Sequence, residues 1–301
     1  MIKLKNIDPS LRWQLDAAAV APLAHTAKRI FVDSNNGSDT NQGDTPSTAK
    51  ATIASAVSAA TASVGDVIYV MPRHAETVTA AIALSKAGIS VIGLGSGSAK
   101  PTITGNFAGD PIDITAINVT FQNFHFAAPS TDEQTSFINF AAGSDGAVVR
   151  GITGIGSGSS LNVVDCFTIV AGAHDVTITD VDIFNTNTAV NSFLSVEGAV
   201  NNLTIKRFRA HGDVATAGII DAAAVTNLCL EDVTILVKGS NKPAITLDSN
   251  PTGTAVRVYA KGTSTTLASN VDYGNAMALF EVRTAEDFNV NGAIIPAADT
   301  E

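Results

Sequence analysis

Two aspartates and two arginines are the residues of this chain best placed to do chemistry. Asp180-Val-Asp182 and Arg207-Phe-Arg209 repeat one spacing, and the second pair follows 27 residues after the first (180 to 207). Around them stand Arg150, Lys206 and Arg257, and Asp165, Asp175 and Asp232. A lyase would use clustered carboxylates to hold Ca²⁺ and a basic side chain to abstract a proton. A glycoside hydrolase would need two carboxyl groups about 5–10 Å apart in a groove. Asp180 and Asp182 have that separation if they lie on one strand. What these residues do therefore depends on how the backbone stacks them.

The backbone is legible from a short apolar pattern that returns every 25 to 32 residues. Val119-Thr-Phe121-Gln-Asn-Phe124-His-Phe126 has the form apolar, x, apolar, x, x, apolar, x, apolar. Val176 to Ile183, Leu203 to Phe208 and Leu228 to Ile235 share it, with weaker copies at Ile89/Val91, Val149/Ile152, Val256/Val258 and Phe288/Val290. Taking the second apolar position as a mark gives Val91, Phe121, Val149, Ile178, Ile205, Leu230, Val258 and Val290. Two short alternating strands meet at a two-residue corner in each copy. A fixed period of this size in strand-rich sequence predicts a solenoid, and without helical periodicity between copies it predicts a right-handed parallel β-helix. One coil cannot bury its own apolar side. Stacking coils at about 4.8 Å buries it and pairs the backbone above and below. About eight coils would make a rod on the order of 40 Å long.

In that register Asp180, Arg207 and Asp232 take the same corner position on successive coils, and Asp182 and Arg209 share the next outward position. Alternating signs one coil apart form a surface ion-pair ladder. Paired arginines keep both aspartates ionised, which removes the acid a hydrolase needs. Aromatic platforms for sugars are scarce: one tryptophan and three tyrosines, Tyr69, Tyr259 and Tyr273. No catalytic residue is expected.

Other chemistries are weaker still. The Asp33–Asp44 loop alternates oxygen donors and glycines as Ca²⁺ loops do, but it lacks EF-hand placement, and turn chemistry accounts for it equally well. The histidines at 25, 74, 125, 174 and 211 show no ligand spacing, and His125 reads as a solvated outward residue. Neither metal nor cofactor is expected. Gly93-Leu-Gly95-Ser-Gly97 lacks the lysine of a phosphate loop, and Gly154-Ile-Gly156-Ser-Gly158 reads as a corner between coils. The two cysteines, Cys166 and Cys229, are no disulfide framework and read as unpaired structural thiols, Cys229 facing outward. The net charge of -10 disfavours nucleic acid and anionic lipid as partners. No apolar run reaches membrane-spanning length, and Asp8, Arg12 and Asp16 precede the apolar stretch at 17–24 where a secretory signal would be basic.

Three regions follow. Residues 1–29 are an arm with the single tryptophan, and Asp16 to Pro22 within it reads as a short helix. Residues 30–87 are an opening module: a strand at Ile30–Val32, the turn-rich loop, a helix over Ala51–Ala62 that covers the open end of the solenoid, and a strand at Val67–Val70. Residues 88–301 are the coils and a C-terminal segment. The run Phe31-Val-Asp-Ser-Asn-Asn-Gly-Ser-Asp39, then Ala51-Thr-Ile53 with its helix, then Gly65-Asp-Val-Ile-Tyr-Val70 resembles the start of the pectate-lyase-like β-helix superfamily. With the coils, the resemblance covers about residues 30–295. It implies the fold and leaves function open, since that superfamily holds polysaccharide lyases, hydrolases, phage tailspikes and non-catalytic virion proteins.

The expectation drawn from these features is a non-catalytic phage virion structural protein. More narrowly, it is a capsid decoration (cement) protein that binds the major capsid protein on the outer shell as a homotrimer, made in the host cytoplasm without a signal peptide. Arg12, Trp13 and Leu15 of the arm are the expected partner contacts. The alternative is a carbohydrate-active β-helix, either a polysaccharide lyase or a tailspike or receptor-binding protein.

Overall fold

The structure is a computed structural model. It describes residues 27–129, 132–156, 163–185, 190–238, 240–247, 249–263, 271–273, 277–285 and 293–294. The arm residues Arg12, Trp13 and Leu15, the helix expected at Asp16 to Pro22 and the apolar copy at Phe288/Val290 lie outside the described residues.

The chain is a parallel β-helix with three faces. Face 1 carries the strand before each corner and face 2 the strand after it. On the best-formed coils the two run together, as in Thr177–Phe184 and Thr204–Asp213. In-register parallel pairing places Ile30, Ile68, Val91, Phe121, Val149, Ile178, Ile205, Leu230, Ala255 and Leu279 in one inward column of face 1. All but Leu279 are buried. The column begins at Ile30, so the opening module and the coils share one sheet. Val258 is not in this column, contrary to the sequence reading. Ala255 takes the place, and Val258 follows the corner at Arg257, in the buried line of Val233. The small Ala255 is a weak apolar mark, and the outward Val256 imitates the missing one.

From the strand Thr120–Gln122 onward, each described corner between faces 1 and 2 is made by a residue in the left-handed region. Asn123, Gly151, Asp180, Arg207, Asp232, Arg257 and Glu281 have φ between 46° and 67°. Asn, Asp and Gly adopt this conformation readily, whereas arginine and glutamate do so at a cost. A second left-handed corner precedes face 1, at Asn118, Gly146, Asp175, Asn202 and Asn227. There the Asn202 amide donates to Asp175 Oδ1 at 2.7 Å and the Asn227 amide to Asn202 Oδ1 at 2.9 Å.

Face 3 was not visible as a separate strand set in the repeat. Short strands at Ile82–Leu84, Ile112–Ile114, Ile138–Phe140, Phe167–Ile169, Leu194–Val196, Ile219–Asp221, Ile245–Thr246 and Val271–Asp272 stack in parallel. Their inward residues complete a core in which Phe121 stacks on Phe124 at 4.2 Å and Phe126 on Phe137 at 4.9 Å. Gly154 belongs to the strand Val148–Ile155 and not to a corner, and it points inward. A Cβ there would meet the Phe137 ring at 2.8 Å, so a glycine makes room for a phenylalanine of face 3.

Helix α1, Ile53–Ala59, is shorter than its apolar spacing implied. Thr52 caps it by accepting from Ser55 N, and Ile53, Ala56 and Val57 are buried. It packs against the strands Arg29–Val32, Val67–Val70 and Ile82–Leu84 at the first coils, where an open end would expose core. At the other end Ala293–Ile294 pairs antiparallel with Arg283–Ala285, a departure from the parallel rule that covers an edge of face 2. No helix among the described residues is long and apolar enough to cross a membrane.

Candidate functional site

The charged corner is built by the left-handed residues. The Arg207 guanidinium grips Asp180 through Nε (2.6 Å) and Nη2 (2.9 Å). Arg209 holds Asp182 in the same way at 3.3 and 2.7 Å. Asp232 lies in register with these residues but turns to the following coil, where Arg257 Nε donates at 2.5 Å. Glu231 joins them, receiving Lys206 at 2.9 Å and Arg257 at 2.9 Å. So Arg207 pairs with Asp180, and Asp232 pairs with an arginine one coil further on. Hydrogen bonds from Arg207 hold Asp180 below the usual carboxylate range, and those from Arg257 do the same for Asp232. Arg150 is engaged otherwise, donating to Gln122 at 2.7 Å. Asp180 and Asp232 stay ionised and neutralised, so neither is available as a general acid, and Asp182 has both oxygens bonded to Arg209. The pairs are solvent-exposed, with side-chain exposures of 41–65% for the arginine–aspartate partners. We therefore expect Arg207→Gln to lower stability only slightly, read from urea unfolding. A loss of several kcal/mol would mean that the ladder is needed for the fold.

Several oxygens of the Asp33–Asp44 loop have partners within the chain. Lys50, 7% exposed, inserts its ammonium and donates to the carbonyls of Asp39 (3.2 Å) and Asn41 (2.8 Å). Asp39 accepts from Ala51 N, Thr52 N and Thr52 Oγ1, and Asp33 from Asn35 N and Asn36 Nδ2. An internal cation thus bonds two carbonyls of the loop. Nearby, buried His74 lies between Ser34 and Glu76, an order that mimics a catalytic triad. The roles differ: Nδ1 accepts from the Ser34 backbone N–H at 3.0 Å, so Nε2 donates to Glu76 at 2.9 Å. The Ser34 hydroxyl instead accepts from Ala75 N. Among the described residues no base is bonded to the serine hydroxyl, and Glu76 also accepts from Ile53 N at the start of α1. The histidine fastens the loop to the cap.

Face 3 carries carboxyl groups of a different character. Asp110 accepts from Ser136 at 2.7 Å, while Asp165 accepts from Ser192 at 2.5 Å and Asn191 at 2.9 Å. Burial pushes both above the ordinary aspartate range despite these bonds. Glu197 is raised by burial and by the charges of Asp165 and Asp110. Beside Asp165, Cys166 is fully buried and its thiol is pushed up by burial; it and the half-buried Cys229 are free. A carboxyl raised by folding contributes stability that is full below its unfolded pKa and lost as pH rises through the folded one. The depressed corner carboxylates Asp180 and Asp232 do the reverse. Glu197→Gln should therefore raise the melting temperature at about pH 7 and leave it unchanged at about pH 3. Equal melting at both pH values would show that Glu197 does not feel Asp110 and Asp165.

Face 2 holds groups the sequence reading passed over. His125 is half-buried and bonded to Thr153 Oγ1 at 3.0 Å, so it is not simply solvated. The same hydroxyl receives Lys100 Nζ at 3.4 Å. Further along stand Phe184, packed on His211 at 4.6 Å, and Tyr259; each of the two aromatics is 38% exposed. The signal was present in the alternation, since residues 125, 153, 182, 209, 234 and 259 are successive outward positions of face 2. What it lacked was Lys100, which reaches the group from outside any strand. Among the described residues no set of three or more histidine, cysteine, aspartate or glutamate side chains could hold a metal ion.

No protein-family model matches this chain, and no curated protein does. Among solved structures, a pectin methylesterase in complex with a hexasaccharide aligns over 88% of this chain and 92% of its own, at 10% identity and a TM-score of 0.49. A protein of Geobacillus virus E2, ORF18, aligns over 96% of this chain at 13% identity and a TM-score of 0.32, and this chain spans 66% of its length. The three stacked parallel faces, the left-handed corners and the helix over the first coils make the fold the parallel β-helix that the sequence resembles.

Proposed function

We propose that this chain is a non-catalytic structural β-helix of a phage virion that decorates the outer capsid surface as a homotrimer. The observation that carries the non-catalytic part is the charged corner: Asp180, Asp182 and Asp232 are each consumed by an arginine one coil away. Such a ladder fixes the stacking register of a rigid rod and leaves its acids without a task in catalysis. The net charge of -10 disfavours contact with packaged DNA. The arm, with Arg12, Trp13 and Leu15, supplies an aromatic and a cation that order on the major capsid protein as binding hot spots.

Lys28 is already part of the folded body, its N–H donating to Asp66 at 2.7 Å, so an arm deletion should stop at residue 26. The shortened chain should no longer sediment with particles, and it should melt as the full chain does. Normal occupancy by the shortened chain would refute the arm as anchor. Location on the tail alone would refute decoration. Monomeric light scattering at micromolar concentration would count against the trimer.

The second reading, a polysaccharide lyase or a tailspike or receptor-binding protein, is favoured by the raised carboxyl groups Asp110, Asp165 and Glu197 on face 3. A depolymerase assay on host surface polysaccharide separates the two. Activity that is lost in Asp165→Asn would establish the second reading and overturn the first.

A further inference from the structure

We infer that Lys100, Thr153 and His125 form a binding subsite on the outside of face 2 for a small oxyanion, a carboxylate or a phosphate monoester. The inference holds whichever role the rod has. Lys100 leaves the chain just before the strand Thr102–Gly105. Thr102 aligns with His125 and His125 with Thr153, so the lysine side chain crosses two coils to reach the threonine.

The donor and acceptor roles follow from what each group can do. An ammonium only donates, so Thr153 Oγ1 accepts from Lys100 at 3.4 Å. In the site inferred, the hydroxyl's own proton goes to His125 Nδ1 at 3.0 Å; the oxygen has two lone pairs, so this direction is part of the inference. In that arrangement neutral His125 carries its hydrogen on Nε2, as a second donor. The Thr153 backbone also bonds the imidazole, while among the described residues no further acceptor is bonded to the other two ammonium hydrogens. Asp182 lies close enough to act on Lys100 electrostatically, but both its oxygens are bonded to Arg209.

Lys100 is thus a half-buried cation with one long hydrogen bond. Burial pushes its pKa down, partly offset by Asp182. Burial also lowers His125 and the lysine charge adds to that, against a hydrogen bond with the Thr153 backbone that raises it. A cation short of partners and partly withdrawn from water is satisfied by an anion whose oxygens take the remaining ammonium hydrogens beside the His125 ring. In a chain of net charge -10 the attraction must come from this locality and not from the overall field.

Titration of the full chain with inorganic phosphate and, separately, with acetate, followed by the ring resonances of His125, tests this. The expected result is saturable movement of His125 with at least one anion and none of His174. A response to phosphate alone would assign a phosphate monoester, and a response to acetate alone a carboxylate. Lys100→Gln should weaken the interaction about tenfold to a hundredfold, whereas Lys238→Gln, which removes the same charge elsewhere, should not. Thr153→Val should shift the His125 ring nitrogens toward the other tautomer even without anion, which a merely space-filling threonine would not do. The inference is overturned if neither anion moves His125 selectively, or if Lys100→Gln binds as tightly as the parent.

Discussion

Phe121→Ala should lower the stability of this protein by about 3–5 kcal/mol, the range for truncating a fully buried aromatic. The side chain is 0% exposed and lies at the middle of the face 1 column, between Val91 and Val149. Its ring stacks on Phe124 at 4.2 Å and lies 6.4 Å from Phe126. Truncation therefore removes both the transfer energy and the face of a three-ring cluster, and stiff parallel strands above and below limit collapse into the gap. A solenoid has no alternative core to absorb the loss, because each coil touches only its neighbours. Urea unfolding of Phe121→Ala beside outward-facing Thr120→Ala would check the expectation. The threonine variant should change stability by less than about 1 kcal/mol. A loss of similar size from both would mean that the column does not point inward.

Gly93→Ala should be almost as damaging, for a reason unrelated to apolar burial. Gly93 ends the face 1 strand Ser90–Gly93, and a Cβ on it would lie 2.2 Å from the Asn123 carbonyl oxygen and 3.1 Å from Pro101. Neither neighbour is free to move. Asn123 is a left-handed corner whose side-chain amide donates to the carbonyls of Gly93 (2.7 Å) and Gly95 (2.9 Å). One methyl group therefore strains two adjoining coils and displaces two hydrogen bonds. We expect a loss of about 3 kcal/mol, at the upper end of overpacking effects. Thermal unfolding would show it as a clear drop in melting temperature. An unchanged transition would mean that the coils separate more easily than their pairing implies. The cluster Gly93-Leu-Gly95 thus has a purely steric explanation, as a place where backbones approach too closely for any side chain.

The sequence by itself determined the coil. Alternation of period two around a fixed corner can bury its apolar side only by stacking, so Phe121, Val149, Ile178, Ile205 and Leu230 share a column. The Asn, Gly and Asp residues just before Val119, Ala147, Val176, Leu203 and Leu228 were an equally regular signal of the second corner, although the apolar pattern drew attention away from it. The shift at Val258 arose because alanine contributes too little apolar contrast to mark a strand. Face 3 stayed hidden because strands of two or three residues, such as Ile245–Thr246, are too short to show alternation.

Pairing between side chains was decided by tertiary structure. Asp232 had two arginines within one coil, Arg207 below and Arg257 above, and only the direction of the side chains selects Arg257. Lys50 fills the Asp33–Asp44 loop, and Lys100 meets Thr153 across 53 residues, because long flexible side chains leave their own rung. Periodicity fixes where a Cα sits on the wall of the solenoid. It carries no information about how far a lysine reaches, or about which carboxyl groups burial pushes above their ordinary range.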